Sequence, residues 1–101
     1  MKRSLITFSM LAILTTTAWA DPKLASTNNC MACHTVERKR VGPAFQDIAK
    51  KYAQQADAAP YLANQITKGS RGVWGAIPMP ANNHISEADA QKLATWILSL
   101  Q

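Results

Sequence analysis

The sequence is poor in the residues that build disulfide scaffolds and metal centres, with only two cysteines and two histidines. Cys30 and Cys33 could form at most one disulfide, closing a very short loop, so the chain is not a disulfide-stabilised scaffold. A run of about 20 apolar residues, which a membrane-spanning helix needs, is missing, and this argues against stable membrane insertion. Strand-like alternation and internal repeats are also missing, so the sequence predicts an all-α protein.

The N-terminus has the layout of a secretory signal peptide. Lys2 and Arg3 precede an apolar run at residues 5–14, and a small-residue A-x-A site ends at Ala20. This order predicts that residues 1–20 are removed on export, leaving residues 21–101 as a single small domain. A retained N-terminal anchor is the alternative.

The mature chain is small and only moderately basic. Cleavage removes two of the eleven basic residues and none of the six acids, so the 81 remaining residues carry a formal charge of +3. This charge is too small to indicate nucleic-acid binding, but it suits docking on an acidic protein surface. A domain of this size buries only about 60% of its unfolded surface, which favours a ligand at the centre of the core.

Apolar periodicity and capping residues predict four short helices. The predicted apolar faces are Phe45, Ile48, Ala49 and Tyr52 in the second helix, and Ala90, Leu93, Ala94, Ile97 and Leu100 in the fourth. Ser86 is expected as the N-cap of the last one, with Asp89 as its capping-box partner, and Asp57 as the N-cap of the third. Between the third and fourth helices, residues 69–83 are apolar but rich in glycine and proline. This composition indicates a loop that packs against a flat apolar group. The four predicted helices cover residues 21–29, 44–55, 57–68 and 86–100.

The stretch CMACH at residues 30–34 carries the main chemical signal. A thioredoxin-like dithiol would need a βαβ setting, and a zinc site would have to recruit His84 as well as the adjacent Cys33 and His34. Covalent haem explains every residue of the motif, because each thiol bonds one vinyl group and the histidine follows as the proximal iron ligand. The motif therefore predicts one haem c on Cys30 and Cys33, with His34 on the iron.

The sixth iron ligand has to come from elsewhere in the chain. Met31 lies inside the attachment motif and cannot easily reach the far side of the ring. Met79 is flanked by Pro78 and Pro80 in the glycine-rich loop, which stiffens the backbone around it. Met79 is the predicted ligand, and His84 is the alternative.

Together these motifs resemble the small class I c-type cytochromes of bacteria, of the cytochrome c-551 and c-552 type. The resemblance covers essentially the whole mature chain and rests on several motifs in the same order. It implies about four helices wrapped round one covalently bound haem. The motifs are CMACH at 30–34, VGPAF at 41–45, GSRGVWG at 69–75, IPMP at 77–80 and the closing helix with Trp96.

The resemblance also implies roles for three residues around the haem. The Pro43 carbonyl would accept a hydrogen bond from His34, Trp74 would donate to a haem propionate, and Asn82 would orient Met79. Gln65 departs from the pattern, because related proteins often carry a basic residue there. The stretch PANNH after Met79 is longer by a residue than in the shortest relatives.

The implied function is that of a soluble, monomeric electron carrier in the periplasm, and not that of an enzyme. Candidate donors include a cytochrome bc1 complex, and candidate acceptors include nitrite reductase, a terminal oxidase or cytochrome c peroxidase. The basic run Arg38–Arg40 is a candidate docking patch. One alternative is a haem-based enzyme or gas sensor with a displaceable sixth ligand, and another is a haem-free module with paired cysteines.

Overall fold

Four α-helices and one short 3-10 helix form the part of the chain that the computed structural model describes, residues 12–13 and 22–101. The bounds are α1 Pro22–Thr27, the 3-10 helix Cys30–Ala32, α2 Phe45–Tyr52, α3 Ala58–Lys68 and α4 Glu87–Leu98. The predicted all-α class is confirmed. Extended pairing within the described residues is limited to one isolated antiparallel bridge, between Ser70 and Met79.

The predicted signal peptide, residues 1–20, lies outside the described residues except for residues 12–13, so it stays a prediction. Within the described ranges, no helix is long and apolar enough to cross a membrane.

Helix α4 is the centre of the packing, since it contacts α3, α2 and α1. It buries one stripe, and Leu93 is only 1% exposed. The predicted face of α2 is also confirmed, because Phe45, Ile48, Ala49 and Tyr52 are all buried. Positions spaced by three or four residues therefore meet in one core, as an amphipathic helix requires.

Capping explains where α4 begins. The Ser86 side chain accepts a hydrogen bond from the backbone N–H of Asp89 at 3.1 Å, so the predicted N-cap is confirmed. The Asp89 carboxylate, predicted as the capping-box partner, instead lies 3.9 Å from the Lys92 ammonium. Asp57 does precede α3 as predicted, but its side chain makes no capping hydrogen bond.

We expect Ser86→Ala to lower the free energy of unfolding by about 1 kcal/mol, because the Asp89 N–H loses its acceptor. Ser86→Asp keeps an acceptor at the same place and is the matched control. Guanidinium chloride unfolding of the haem-loaded protein measures both. Equal stability of the alanine and aspartate variants would show that the cap contributes nothing.

Candidate haem site

A cavity of about 930 Å3 lies between the helices and the two long loops. This volume is near the upper end of the range of about 300–1,000 Å3 that is usual for cofactor sites. Its walls are mostly apolar, and three helices and the two loops contribute to them. The apolar and aromatic wall residues from the helices are Phe45, Ile48 and Tyr52 of α2, Leu62 and Ile66 of α3, and Leu93 and Ile97 of α4.

The residues predicted to hold the haem reach this cavity together. Cys30, Cys33 and His34 line it from the motif, and Met79 lines it from the loop that follows α3. Met79 is also partly buried against the core. The two rejected or alternative ligands, Met31 and His84, are not among the lining residues, and His84 is exposed.

His34 is buried, and one of its ring nitrogens has a hydrogen-bond partner. Its side chain is 8% exposed, and Nδ1 lies 2.7 Å from the carbonyl oxygen of Pro43. A carbonyl only accepts, so Nδ1 carries the proton and Nε2 keeps its lone pair for another partner. The neighbouring Gly42 approaches the ring so closely that an added Cβ would lie 2.5 Å from its Cε1 atom.

No disulfide joins Cys30 and Cys33 in this structure, so the disulfide alternative is not supported. They are placed by a tight turn in which the His34 N–H donates to the Cys30 carbonyl at 3.0 Å, after Asn29 in a left-handed conformation. Burial raises the pKa of the Cys30 thiol above its ordinary value. Among the described residues no three His, Cys, Asp or Glu side chains come together around a metal-sized site, which argues against the zinc alternative.

The backbone of Met79 is fixed by its pairing with Ser70. The Ser70 N–H donates to the Met79 carbonyl at 3.1 Å, and the Met79 N–H donates to the Ser70 carbonyl at 2.9 Å. Gly69 makes this approach possible, since it adopts φ +78° and an added Cβ would meet the Met79 oxygen at 2.6 Å. The bridge thus closes the loop at the point where Met79 reaches the cavity.

Asn82 ties the end of the same loop to α3. Its side-chain amide donates to the Ile66 carbonyl at 3.0 Å and lies 3.4 Å from the Pro80 carbonyl. Its backbone N–H also donates to Ile66 at 3.2 Å. Ile66 belongs to the last turn of α3, where carbonyls lack helical partners, so Asn82 satisfies one of them. The amide therefore acts on the Met79 loop through backbone carbonyls.

Trp74 lines the cavity and remains 39% exposed. The ammonium of Lys51, from α2, lies 5.3 Å from the centroid of its indole ring, which is within cation–π range. Gln65, which departs from the basic residue that relatives often carry, also lines the cavity. Lys51 of α2 thus places a positive charge beside Trp74.

Tyr52 is a cavity-wall residue with a perturbed hydroxyl. Burial raises the pKa of Tyr52 to about 12, and the neighbouring Tyr61, with its ring centroid 5.3 Å away, adds to the rise. The phenol therefore remains neutral at physiological pH and adds no charge to the cavity wall.

Three contributors to the site escaped the sequence reasoning. Ser70 was noted only as part of the loop motif GSRGVWG, Lys51 only as part of a helix, and Phe45 only in the motif VGPAF and on an apolar face. The turn residues GSRG at 69–72 were the available signal for the tight closure at Ser70. The contacts of Lys51 and Phe45 join residues distant in the chain, and no local pattern reports them.

A family model described as cytochrome c matches residues 22–101. The chain belongs to the cytochrome c family. It is 58% identical over 96 residues to cytochrome c-552 of Nitrosomonas europaea, covering 94% of this chain and 93% of that protein. It is 52% identical over 84 residues to cytochrome c-551 of Pseudomonas aeruginosa, covering 81% and 80%.

Solved structures agree with this assignment. The crystal structure of wild-type Nitrosomonas europaea cytochrome c552 matches this fold with a TM-score of 0.79 at 62% sequence identity, covering 80% of this chain and 100% of that one. As a cytochrome c, the protein carries a covalently bound haem c and is a small electron carrier, not an enzyme.

The cavity fits such a group in both size and chemistry. It offers two thiols for covalent attachment, an imidazole with a free Nε2 lone pair, a thioether and apolar walls. Imidazole and thioether are a known axial pair for cytochromes c. The close approach of Gly42 to His34 leaves no room for a side chain at position 42.

We expect Gly69→Ala to lower the free energy of unfolding more than Gly72→Ala. Both glycines have positive φ, at +78° and +70°, so both substitutions strain the backbone. An added Cβ at Gly72 meets nothing within 4 Å, whereas at Gly69 it meets backbone atoms of Met79 and Ala81. Urea unfolding of the two loaded variants measures the difference, and equal losses would mean that the loop yields freely around Gly69.

Proposed function

We propose that this protein is a soluble, monomeric periplasmic carrier of single electrons, with Cys30 and Cys33 as the haem attachment sites and His34 and Met79 as the axial ligands. The observation that carries the proposal is the convergence of these four side chains on one cavity of haem size. They come from two segments far apart in the chain, and chance placement does not explain their meeting.

The role of His34 follows from its hydrogen bond. With Nδ1 donating to Pro43 at 2.7 Å, the ring presents Nε2 as the donor atom for iron. An accepting carbonyl raises the basicity of the imidazole and holds its tautomer, as partners of metal-binding histidines usually do. Pro43 is therefore part of the ligand arrangement although it does not touch the metal.

Met79 as the second axial ligand would leave no open coordination position. The bound group supplies reversible one-electron exchange at its iron, and a fully ligated iron has no place for substrate. A thioether ligand and an apolar surrounding both favour a high reduction potential. We also assign Trp74 to a haem propionate and Asn82 to the support of the Met79 loop, through its contact with Ile66.

Residues 1–20 act in this proposal as a signal peptide that is removed on export, and residues 21–101 form the monohaem domain. The start of the family match at residue 22 supports this division. Export also fits the chemistry, since bacterial c-type haem is attached outside the cytoplasm.

The surface around the cavity offers a docking patch for redox partners. Arg38, Lys39 and Arg40 are all exposed, and Lys39 also lines the cavity. Val41, next to this basic run, is 48% exposed. Ile77, which also lines the cavity, is 64% exposed. Basic residues speed association with an acidic partner, and exposed apolar residues provide contacts in the bound complex. The partners proposed are a cytochrome bc1 complex as donor and nitrite reductase, a terminal oxidase or cytochrome c peroxidase as acceptor.

We expect the ferric protein, purified from the periplasmic fraction, to show the weak far-red band of sulfur-to-iron ligation, and Met79→Ala to abolish it. Met31→Leu is the matched control, because Met31 is partly buried against the core but does not line the cavity. Optical spectra of the oxidised and reduced forms measure the effect.

Three results would contradict parts of this proposal. A band that survives in Met79→Ala would remove Met79 as the ligand. A wild-type protein that binds haem without the band, and whose ferrous form takes carbon monoxide at once, would favour the enzyme or sensor alternative. A haem protein recovered only in the membrane fraction would contradict the periplasmic location.

We expect replacement of Arg38, Lys39 and Arg40 by glutamine to slow electron transfer to an acidic partner by about tenfold at low ionic strength, and to weaken its salt dependence. The control replaces Lys23, Lys50 and Lys92, three exposed lysines that do not line the cavity. The net charge change is the same, so a purely global effect would slow both variants equally. Stopped-flow rates across a salt series distinguish the two outcomes.

A further inference from the structure

The plane of the His34 ring is not determined by its hydrogen bond alone. The contact from Nδ1 to the Pro43 carbonyl, 2.7 Å long, fixes one atom of the imidazole. The ring could still turn about that contact unless something lies against its face. Gly42 limits the space near Cε1, but a glycine has no side chain with which to press on a ring.

Phe45 lies against that face. The centroids of the His34 and Phe45 rings are 5.0 Å apart and the planes differ by 20°, which is an offset stack. Turning the imidazole would break this stack or drive one ring into the other. The phenyl ring is therefore placed to select one plane for the imidazole.

Phe45 itself has little freedom to move. It is 2% exposed and is the first residue of α2. Its backbone N–H donates to the carbonyl of Thr35, the residue after His34, at 2.9 Å. On another side, Trp96 of α4 meets the phenyl ring edge-on, with centroids 5.3 Å apart and planes at 73°. The contacts thus run from α4 through Phe45 to the imidazole.

We propose that Phe45 is a positioning residue that sets the plane of the His34 imidazole, and that Trp96 holds Phe45 in place. This inference rests on the proposed role of His34 as an axial ligand. The plane of an axial imidazole, together with the second axial ligand, determines which iron orbital holds the unpaired electron of the ferric state. Phe45 therefore acts on the electronic axis of the site, and the packing of α4 acts on it through Phe45.

The test compares Phe45→Leu, which keeps an apolar side chain but loses the stack, with Phe45→Tyr, which keeps the ring. The ring plane of His34 is read in the ferrous protein from nuclear Overhauser contacts between its ring protons and the haem meso protons. The ferric protein gives a second readout, the order of the haem methyl resonances. We expect both readouts to change in Phe45→Leu and to return to the wild-type pattern in Phe45→Tyr.

A core control separates positioning from general destabilisation. Ile85 is 5% exposed and does not line the cavity, so Ile85→Ala opens a void in the core away from His34. We expect it to lower stability without changing either readout. If Phe45→Leu leaves the meso contacts and the methyl order unchanged, or if Ile85→Ala changes them as much, the inference is overturned.

Trp96→Leu keeps the inference testable if Phe45→Leu fails to yield loaded protein. It removes the edge contact and leaves Phe45 itself intact, and we expect the same direction of change with a smaller size. An unchanged ring plane in that variant overturns the link to α4. Failure of the proposed function looks different, because the wild-type protein would then lack the far-red band and any His34 ring proton shifted by the haem.

Discussion

The structure depends on one constraint: about 80 residues surround a cavity that their own side chains do not fill. Helices α2, α3 and α4 line this cavity of about 930 Å3, and Ile48, Leu62 and Leu93 all face it. Protein interiors are close-packed, so these side chains would lose a large part of their dispersion contacts without a partner in the cavity. Covalently held haem c supplies these contacts. In this protein the cofactor is therefore a structural element as well as a redox centre.

The loops follow from the same constraint. A flat, rigid group needs contacts on both faces and along its rim, and helices alone do not wrap around a rim. The glycine and proline residues between α3 and α4 therefore keep this stretch from forming a helix. Hydrogen bonds then fix it at its two ends. Ser70 pairs with Met79 at one end, and Asn82 bonds to Ile66 at the other. These few hydrogen bonds give an irregular segment a definite shape without any sheet.

Much of this arrangement was predictable from the sequence, because its signals are local. Apolar spacing identified the faces of α2 and α4, Ser86 identified the start of α4, and the CMACH motif named the cofactor. The capping roles predicted for two aspartates were wrong, for physical reasons. Asp57 stands at the start of α3 without capping it, and the Asp89 carboxylate turns towards Lys92. Both side chains are exposed enough to interact with solvent instead of the backbone. The spacing of residues in the sequence does not predict which of the two they do.

Local sequence patterns do not show which residues of different elements come into contact. The stack of Phe45 on His34, the ammonium of Lys51 over Trp74 and the bridge from Ser70 to Met79 all join residues from different elements. Each is a product of the tertiary fold, so periodicity shows only that the residues are apolar, basic or in a turn.

The double hydrogen bond between Ser70 and Met79 has a consequence for the speed of electron exchange. In the proposed arrangement, with Met79 as an axial ligand, these two hydrogen bonds and the close approach of Gly69 hold its main chain in place whatever the charge on the iron. The sulfur would then move little between the two oxidation states. Small nuclear displacement means a small reorganisation energy, so such a carrier exchanges electrons quickly even between partners of nearly equal potential.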